Sequence, residues 1–280
     1  MIWKKEKLRA TQPYFVLDTE GFTQEVYLKQ GISHFYTFRL RENQPVLRVV
    51  PDGCIDYLFS FTSDGRMRAY VCGTVQKYEE ISYAGLQEVF GVRFLPGVHP
   101  AGLSCSMKDV LEKKILMPGY CEELSKESDF YQRIRVFLRY YTKITHEEPE
   151  PYGKAALVES IRDRIYATDG NARIADLAEE TGYTERYIDR VFGEEMGFSP
   201  KTFCKIIRFQ RTLEFLNYGA PDSMTDAATA LGYFDQAQMI RDFKTSSGVT
   251  PYRYLKLITY GSYRQRVHER QTNNESVIKG

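Results

Sequence analysis

Ile174-Ala175-Asp176-Leu177-Ala178, Thr181-Gly182-Tyr183-Thr184, Val191-Phe192 and Gly197-Phe198-Ser199-Pro200 form a series that the chain writes twice. The second copy runs Met224-Thr225-Asp226-Ala227-Ala228, Leu231-Gly232-Tyr233, Asp242-Phe243-Lys244 and Gly248-Val249-Thr250-Pro251. The copies align at an offset of about fifty residues, with one residue inserted after the Gly-Tyr of the second. Each predicts a helix, a glycine turn, a second helix and a Gly-x-[Ser/Thr]-Pro exit. Gly182 and Gly232 stand just past a helix end, where a left-handed residue is needed and glycine adopts it without strain. Thr184 and Asp235 stand where the N-caps of the next helices belong. Those helices turn Tyr187, Ile188, Val191 and Phe192, or Met239, Ile240 and Phe243, inward. Glu185, Arg186, Asp189 and Arg190, or Gln236, Ala237, Gln238 and Arg241, point outward. A lone pattern of this kind is often an αα-hairpin of a helical bundle; two matching copies with the same exit favour a pair of helix-turn-helix units. Held about 34 Å apart, such helices meet successive major-groove segments on one face of a duplex.

Around this repeat the chain reads as helical from residue 153. An amphipathic helix over 155–166 precedes the first copy, and a long helix over about 200–216 joins the two. The stretch 12–105 reads differently. Val46-Leu47-Arg48-Val49-Val50, Ile55-Asp56-Tyr57-Leu58-Phe59-Ser60-Phe61, Met67-Arg68-Ala69-Tyr70-Val71 and Glu88-Val89-Phe90-Gly91-Val92-Arg93-Phe94 are rich in β-branched and aromatic residues. Turns at Pro51-Asp52-Gly53, Ser63-Asp64-Gly65 and Pro96-Gly97 bound them, which predicts a small barrel or sandwich. A helix over about 128–141 follows. The fold class expected is therefore α+β in two domains: a β-barrel-like half with flanking helices and an all-α half. Residues 1–146 form the β-rich domain and 147–152 the charged, proline-bearing linker. Residues 153–260 form the DNA-binding domain, and 261–280 a polar, fraying tail.

Composition narrows the class without naming a partner. The 280 residues carry a formal net charge of only +1, so bulk electrostatics do not announce nucleic acid. Any DNA argument rests on placement, as at Lys201, Lys205, Arg208 and Arg211. No apolar run approaches the ~18 residues of a membrane helix, and the N-terminus does not read as a secretory signal. The five cysteines are scattered, with no Cys-x-x-Cys pair, which favours reduced thiols in a cytoplasm over a disulfide or zinc framework.

Residues 152–258 resemble the DNA-binding region of the AraC/XylS family of bacterial transcription regulators. The resemblance rests on both copies above, and most on Ala228, Leu231-Gly232-Tyr233, Gln236, Arg241-Asp242-Phe243-Lys244 and Gly248-Val249-Thr250-Pro251-Tyr252-Arg253-Tyr254. It implies promoter DNA as partner, and RNA polymerase too if the outcome is activation. By position, Arg186, Asp189 and Arg190 of the first unit and Gln236, Gln238 and Arg241 of the second are the base readers. Glu185, Lys201, Lys205 and Lys244 complete the interface. Arginine suits a guanine edge and glutamine an adenine edge; Asp189 either accepts from a cytosine amino group or pairs with Arg186 or Arg190. Arg190 and Arg241 are open to a phosphate reading as well as a base reading.

Pro51–Phe59 and Phe90–Gly97 resemble, more weakly, the cupin-like sensor domain that precedes this region in some family members, which implies effector binding or a homodimer. Asp56, Tyr57, Phe59, Tyr70, Phe90 and Arg93 are the candidate effector residues, with Asp52 as a further polar wall. The plainer reading makes the aromatics core and Asp52 a turn residue. His34, His99 and His146 are widely spaced, so no metal, cofactor or catalytic residue is expected. Cys54 or Cys72 as a sensing thiol is the minor alternative to inert buried cysteines. A purely scaffolding N-terminal domain, or a fused enzyme or thiol module, are the rival readings.

Overall fold

The computed structural model describes residues 8–41, 46–62, 64–82, 87–145, 153–219 and 223–271. The expected linker at 147–152 lies outside them. In chain order the elements begin with α1 (Pro13–Asp18), β1 (Glu20–Lys29), β2 (Ile32–Arg39), β3 (Val46–Val49) and β4 (Asp56–Phe61). They continue with β5 (Met67–Cys72), β6 (Glu79–Ser82), β7 (Glu88–Phe94), α2 (Met107–Val110), β8 (Lys114–Leu116) and α3 (Phe130–Thr145). The helical half follows as α4 (Lys154–Ala167), α5 (Ile174–Thr181), α6 (Glu185–Met196), α7 (Pro200–Tyr218), α8 (Met224–Ala230), α9 (Gln236–Ser247), α10 (Pro251–Tyr260) and α11 (Tyr263–Arg266), closed by β9 (His268–Gln271).

Seven strands form one sheet in the order β8-β5-β4-β7-β2-β1-β9, antiparallel throughout except that β9 runs parallel to β1. The antiparallel pair β3–β6 forms a second, smaller sheet. Side chains alternate across a strand, and both faces of β4 and β7 are covered, so both sets are buried. Tyr57, Phe59, Phe90, Val92 and Phe94 meet α3, whose Phe137 ring lies 5.9 Å from Phe35 and 6.1 Å from Phe59. Leu58 and Val89 turn the other way with Tyr36 and Phe38, under α1 and the β3–β6 pair. The small sheet curls over this face, giving the barrel-like shape expected from the turn spacing. Gly91 is required there: a Cβ would stand 2.0 Å from the Tyr36 ring.

The helical half docks directly on the barrel. One apolar core runs from Phe59 and Phe94 to Ile161, Val191 and Phe203. A second joins Phe15, Tyr36 and Leu58 to Phe209, Phe243 and Tyr254. Polar contacts fix the register of docking. Gln210 of α7, 1% exposed, donates to the Pro51 carbonyl at 2.7 Å and accepts from the Thr11 N–H at 2.8 Å. The Tyr14 hydroxyl donates to the Ser247 carbonyl at 2.7 Å. The expectation of a fraying tail from residue 261 is corrected as far as Gln271. Tyr263 is buried in the core that α1 and α10 share, Arg266 donates to the carbonyls of Leu17 and Thr19, and β9 extends the sheet.

Truncating the central ring, Phe137→Ala, is expected to lower unfolding free energy by about 3–5 kcal/mol, read from urea midpoints at constant slope. His34 gives a pH signature. It is buried, and burial first, then Arg93 and Arg9, hold its imidazole well below its usual range. The folded protein thus keeps His34 neutral while the unfolded chain protonates below about pH 6.5. This contribution is fully present above that pH and is lost as pH falls beneath it. His34→Gln is expected to flatten the midpoint–pH curve just below pH 6.5; an unchanged slope would refute the assignment.

Candidate nucleic-acid interface

The two helix-turn-helix units are built by the same local chemistry. In the first, Gly182 adopts φ 72° after α5, and the Thr184 side chain accepts from the Tyr187 N–H to start α6. Gly197 ends α6 at φ 79°, Ser199 caps α7, and Pro200 fills its first turn, where no N–H is needed. The second unit repeats this: Gly232 at φ 78°, Asp235 accepting from the Gln238 N–H at 2.6 Å, Gly248 at φ 78°, then Thr250 and Pro251. The Gly-x-[Ser/Thr]-Pro exit is thus a C-cap and an N-cap placed back to back. Helix α7 fixes the units relative to each other. Its Arg211 pairs with Asp169 and Glu214 at 2.7 Å each, and its Thr212 bonds the Tyr233 hydroxyl at 2.9 Å. Its Asn217 accepts from the Tyr254 hydroxyl at 2.7 Å.

Glu185, Arg186, Asp189 and Arg190 are all exposed on α6. Arg190 pairs with Glu194 at 2.9 Å, one turn on, rather than with Asp189. Such an exposed pair is weak and readily exchanged for another anion. Ile188, Val191 and Phe192 are buried beneath. On α9, Arg241 and Lys244 are exposed, as are Lys201 and Lys205 on α7. The glutamines differ from expectation. Gln236 Oε1 accepts from the Thr225 hydroxyl at 2.9 Å, and Gln238 Oε1 accepts from the Phe234 N–H at 2.8 Å. Both are half-buried. A two-point adenine contact needs that oxygen, so each glutamine would first have to release an intramolecular bond. Arg211 is no solvent-facing base either; its two carboxylate partners bury it. Tyr183 is 46% exposed and stacks on Tyr187 at 4.8 Å, whereas Tyr233, its partner in the repeat, is buried.

The barrel holds a second candidate site, a cavity of about 220 Å³ between the large sheet and the β3–β6 pair. Asp52, Asp56 and Arg93 line it together. Arg93 Nε donates to Asp56 Oδ1 at 2.9 Å, and its Nη1 lies 3.5 Å from Asp52 Oδ2. Burial opposes the guanidinium charge, but Asp56 and Asp52 outweigh it and hold Arg93 well above its ordinary range. Burial pushes Asp52 up, which Arg93 partly offsets. The aromatic part of the expected site is corrected: Tyr57, Phe59 and Phe90 lie on the opposite face of the sheet, where α3 fills the space. Strand alternation separates them from Asp56 and Arg93. Tyr70 lies against the Lys114 ammonium at 4.1 Å and is not a wall of the cavity. Gln12, Phe15 and Thr74 take their place as walls. Gln12 donates to Asp52 at 2.7 Å, and the Thr74 hydroxyl accepts the Asp52 and Gly53 N–H groups. Neither residue carries a sequence signal, since each meets the site only through long-range contact. Cys54 and Cys72 also line the cavity, and burial pushes both thiols up, Cys72 to about 12, so neither is a ready thiolate.

Two capped, surface-displayed helices joined by one buried helix define a pair of helix-turn-helix units. Residues 177–257 match the family described as a helix-turn-helix domain, and residues 25–115 match one described as a domain of unknown function, DUF6597. The first of these matches takes in α6 to α9. The chain is similar to YbfI of Bacillus subtilis (strain 168), described as an uncharacterized HTH-type transcriptional regulator, at 28% identity over 63% of this chain. The match spans 63% of that relative's length. Among solved structures it is similar to ToxT of Vibrio cholerae O395, at 12% identity and TM-score 0.44, covering 80% of this chain and 98% of that one. It is also similar to the C-terminal domain of AraT, a response regulator of Geobacillus stearothermophilus, at 24% identity and TM-score 0.33, covering 36% and 84%.

Arg241→Ala is expected to cost about 1–3 kcal/mol of discrimination between the preferred duplex and single-base variants of it, measured by titration at fixed salt. An equal loss on every duplex would move Arg241 to the phosphate-contacting set.

Proposed function

We propose that the protein is a one-component transcription regulator that binds promoter DNA through α6 and α9 and is controlled by a small molecule in the barrel. The observation that carries the DNA reading is the paired display of Arg186, Arg190 and Arg241 on two capped helices of one rigid helical half. Support for the effector comes from the cavity beside Asp52, Asp56 and Arg93, a concave site with a few convergent polar groups. The organisation proposed is a sensing domain over 1–146, a linker at 147–152 and a DNA-binding domain over 153–260, with residues 261–271 docked back on the barrel. A non-enzymatic, cytoplasmic role accords with this reading, and among the described residues no helix is long and apolar enough to cross a membrane. RNA polymerase is a partner if the outcome is activation.

The cavity has a physical route to the DNA-binding half. Gln12 bonds Asp52 at the cavity wall and the Val50 carbonyl at 2.7 Å. Its neighbour Thr11 and the adjacent Pro51 are the two groups that grip Gln210. A ligand that shifts Asp52 therefore acts on α7, the helix that sets the spacing of the two units. It changes DNA affinity only as far as it binds one arrangement better than another. A homodimer, if formed, uses the helices near residues 128–141, where Arg135 and Arg139 of α3 are exposed.

The test is a thermal-shift screen of the full chain against small metabolites, in which a ligand at 100 times its Kd adds about 2.7 kcal/mol. Gln210→Met is then expected to keep the ligand-induced shift and lose the ligand's effect on DNA binding. A variant that retains both would remove Gln210 from the coupling route; a panel without any hit favours a scaffolding barrel.

A further inference from the structure

The second repeat carries one more residue than the first between its Gly-Tyr and its N-cap: Thr184 follows Tyr183 directly, whereas Phe234 separates Tyr233 from Asp235. That extra residue is 93% exposed, although it is an aromatic at the very start of α9. Its backbone is not loose. The Phe234 N–H is held by Gln238 Oε1 at 2.8 Å, and the next residue, Asp235, caps the helix through the Gln238 N–H at 2.6 Å. Tyr233 on its other side is anchored in the interior by Thr212. The glutamine that sequence reasoning assigned to base contact is thus spent on presenting a phenylalanine. A large apolar side chain held at full exposure on an ordered turn forgoes burial within the chain, and a contact that covered it would recover that free energy.

We propose that Phe234 is a specificity-determining residue of the second unit, packing on the 5-methyl group of a thymine in the major groove. This rests on the DNA-binding reading above. Recognition helices contact base edges with their N-terminal residues. Among base-edge features, the thymine methyl is the apolar one, and phenylalanine is a suitable contact for it. The occupant is duplex DNA because Phe234 leads straight into the helix that displays Arg241 and Lys244. In the first unit the residue before the N-cap is Tyr183, half as exposed and stacked on Tyr187 at 4.8 Å, and that unit reads its half of the site by polar contacts with Arg186 and Arg190.

The experiment uses the full chain to enrich binding sites from a random double-stranded library, in parallel with Phe234→Ala and Phe234→Leu. Wild type is expected to select a thymine at one position near the Arg241 contact. Replacing that thymine by deoxyuridine, which removes only the methyl group, should weaken wild-type binding about four-fold, the burial of one carbon. Phe234→Ala should lose the thymine preference and be indifferent to deoxyuridine, while Phe234→Leu keeps part of both. Melting temperatures equal to wild type are expected, since the ring buries nothing within the chain. If Phe234→Ala selects the same site and keeps the deoxyuridine effect, Phe234 reads no base; if it loses affinity equally on all sequences, it contacts the backbone, and the proposal falls in either case. Failure of wild type to enrich any sequence would overturn the DNA reading itself, which separates that failure from a failure at Phe234.

Discussion

Helix α7 is the constraint on which the rest of the structure depends. Twelve of its residues are buried, and they face three different partners. Phe203, Ile206 and Ile207 belong to the core shared with α4, α6 and the barrel, while Phe209, Leu213 and Leu216 belong to the core shared with α1, α9 and α10. Among these apolar residues sit Gln210, Arg211, Thr212 and Asn217, all buried and each hydrogen-bonded, Asn217 through its Oδ1. Burying a polar group without a partner is costly. Each of these four therefore specifies one arrangement: Gln210 the barrel, Arg211 the turn after α4, Thr212 and Asn217 the second unit. Apolar packing alone tolerates sliding; satisfied polar contacts at the same interface do not.

That constraint links the two candidate sites. The same loop, Pro51–Cys54, lines the barrel cavity with Asp52 and presents the Pro51 carbonyl to Gln210. Gly53 packs against Phe203 so closely that a Cβ would stand 3.0 Å from its ring. This short turn thus joins an ionic cluster to a helical interface. Because Arg93 faces two carboxylates and its charge is held by both, any guest that competes for one of them redistributes the whole cluster. The two thiols beside it play no such part, since burial keeps them protonated.

The repeats show how nearly identical local chemistry can serve different surfaces. Both units close with a left-handed glycine, an oxygen-bearing cap and a proline, which fixes helix lengths and entry angles. Their outward faces diverge. The first shows charge on Arg186, Asp189 and Arg190 with a stacked Tyr183–Tyr187 pair; the second spends Gln236 and Gln238 within the protein and displays Phe234 and Arg241.

The sequence by itself determined the elements and their class. Glycine, cap and proline positions are local rules, so the boundaries of α6, α7, α9 and α10 were legible from Gly182, Thr184, Gly197-Phe198-Ser199-Pro200 and their second copies. The strands around Leu58 and Val92 were legible from their β-branched and aromatic content. Which face each of those side chains takes, and what covers it, was decided by the tertiary structure. Asp56 and Tyr57 are neighbours in sequence yet lie on opposite sides of one sheet, so the expected pocket divided into a filled core and a polar cavity. Gln12, Thr74 and Gln210 have no local signature, because a hydrogen bond across the chain is set by packing rather than by neighbours. The tail to Gln271 looks polar and free for the same reason: Tyr263 is buried against α1 and α10, which only the tertiary fold brings together.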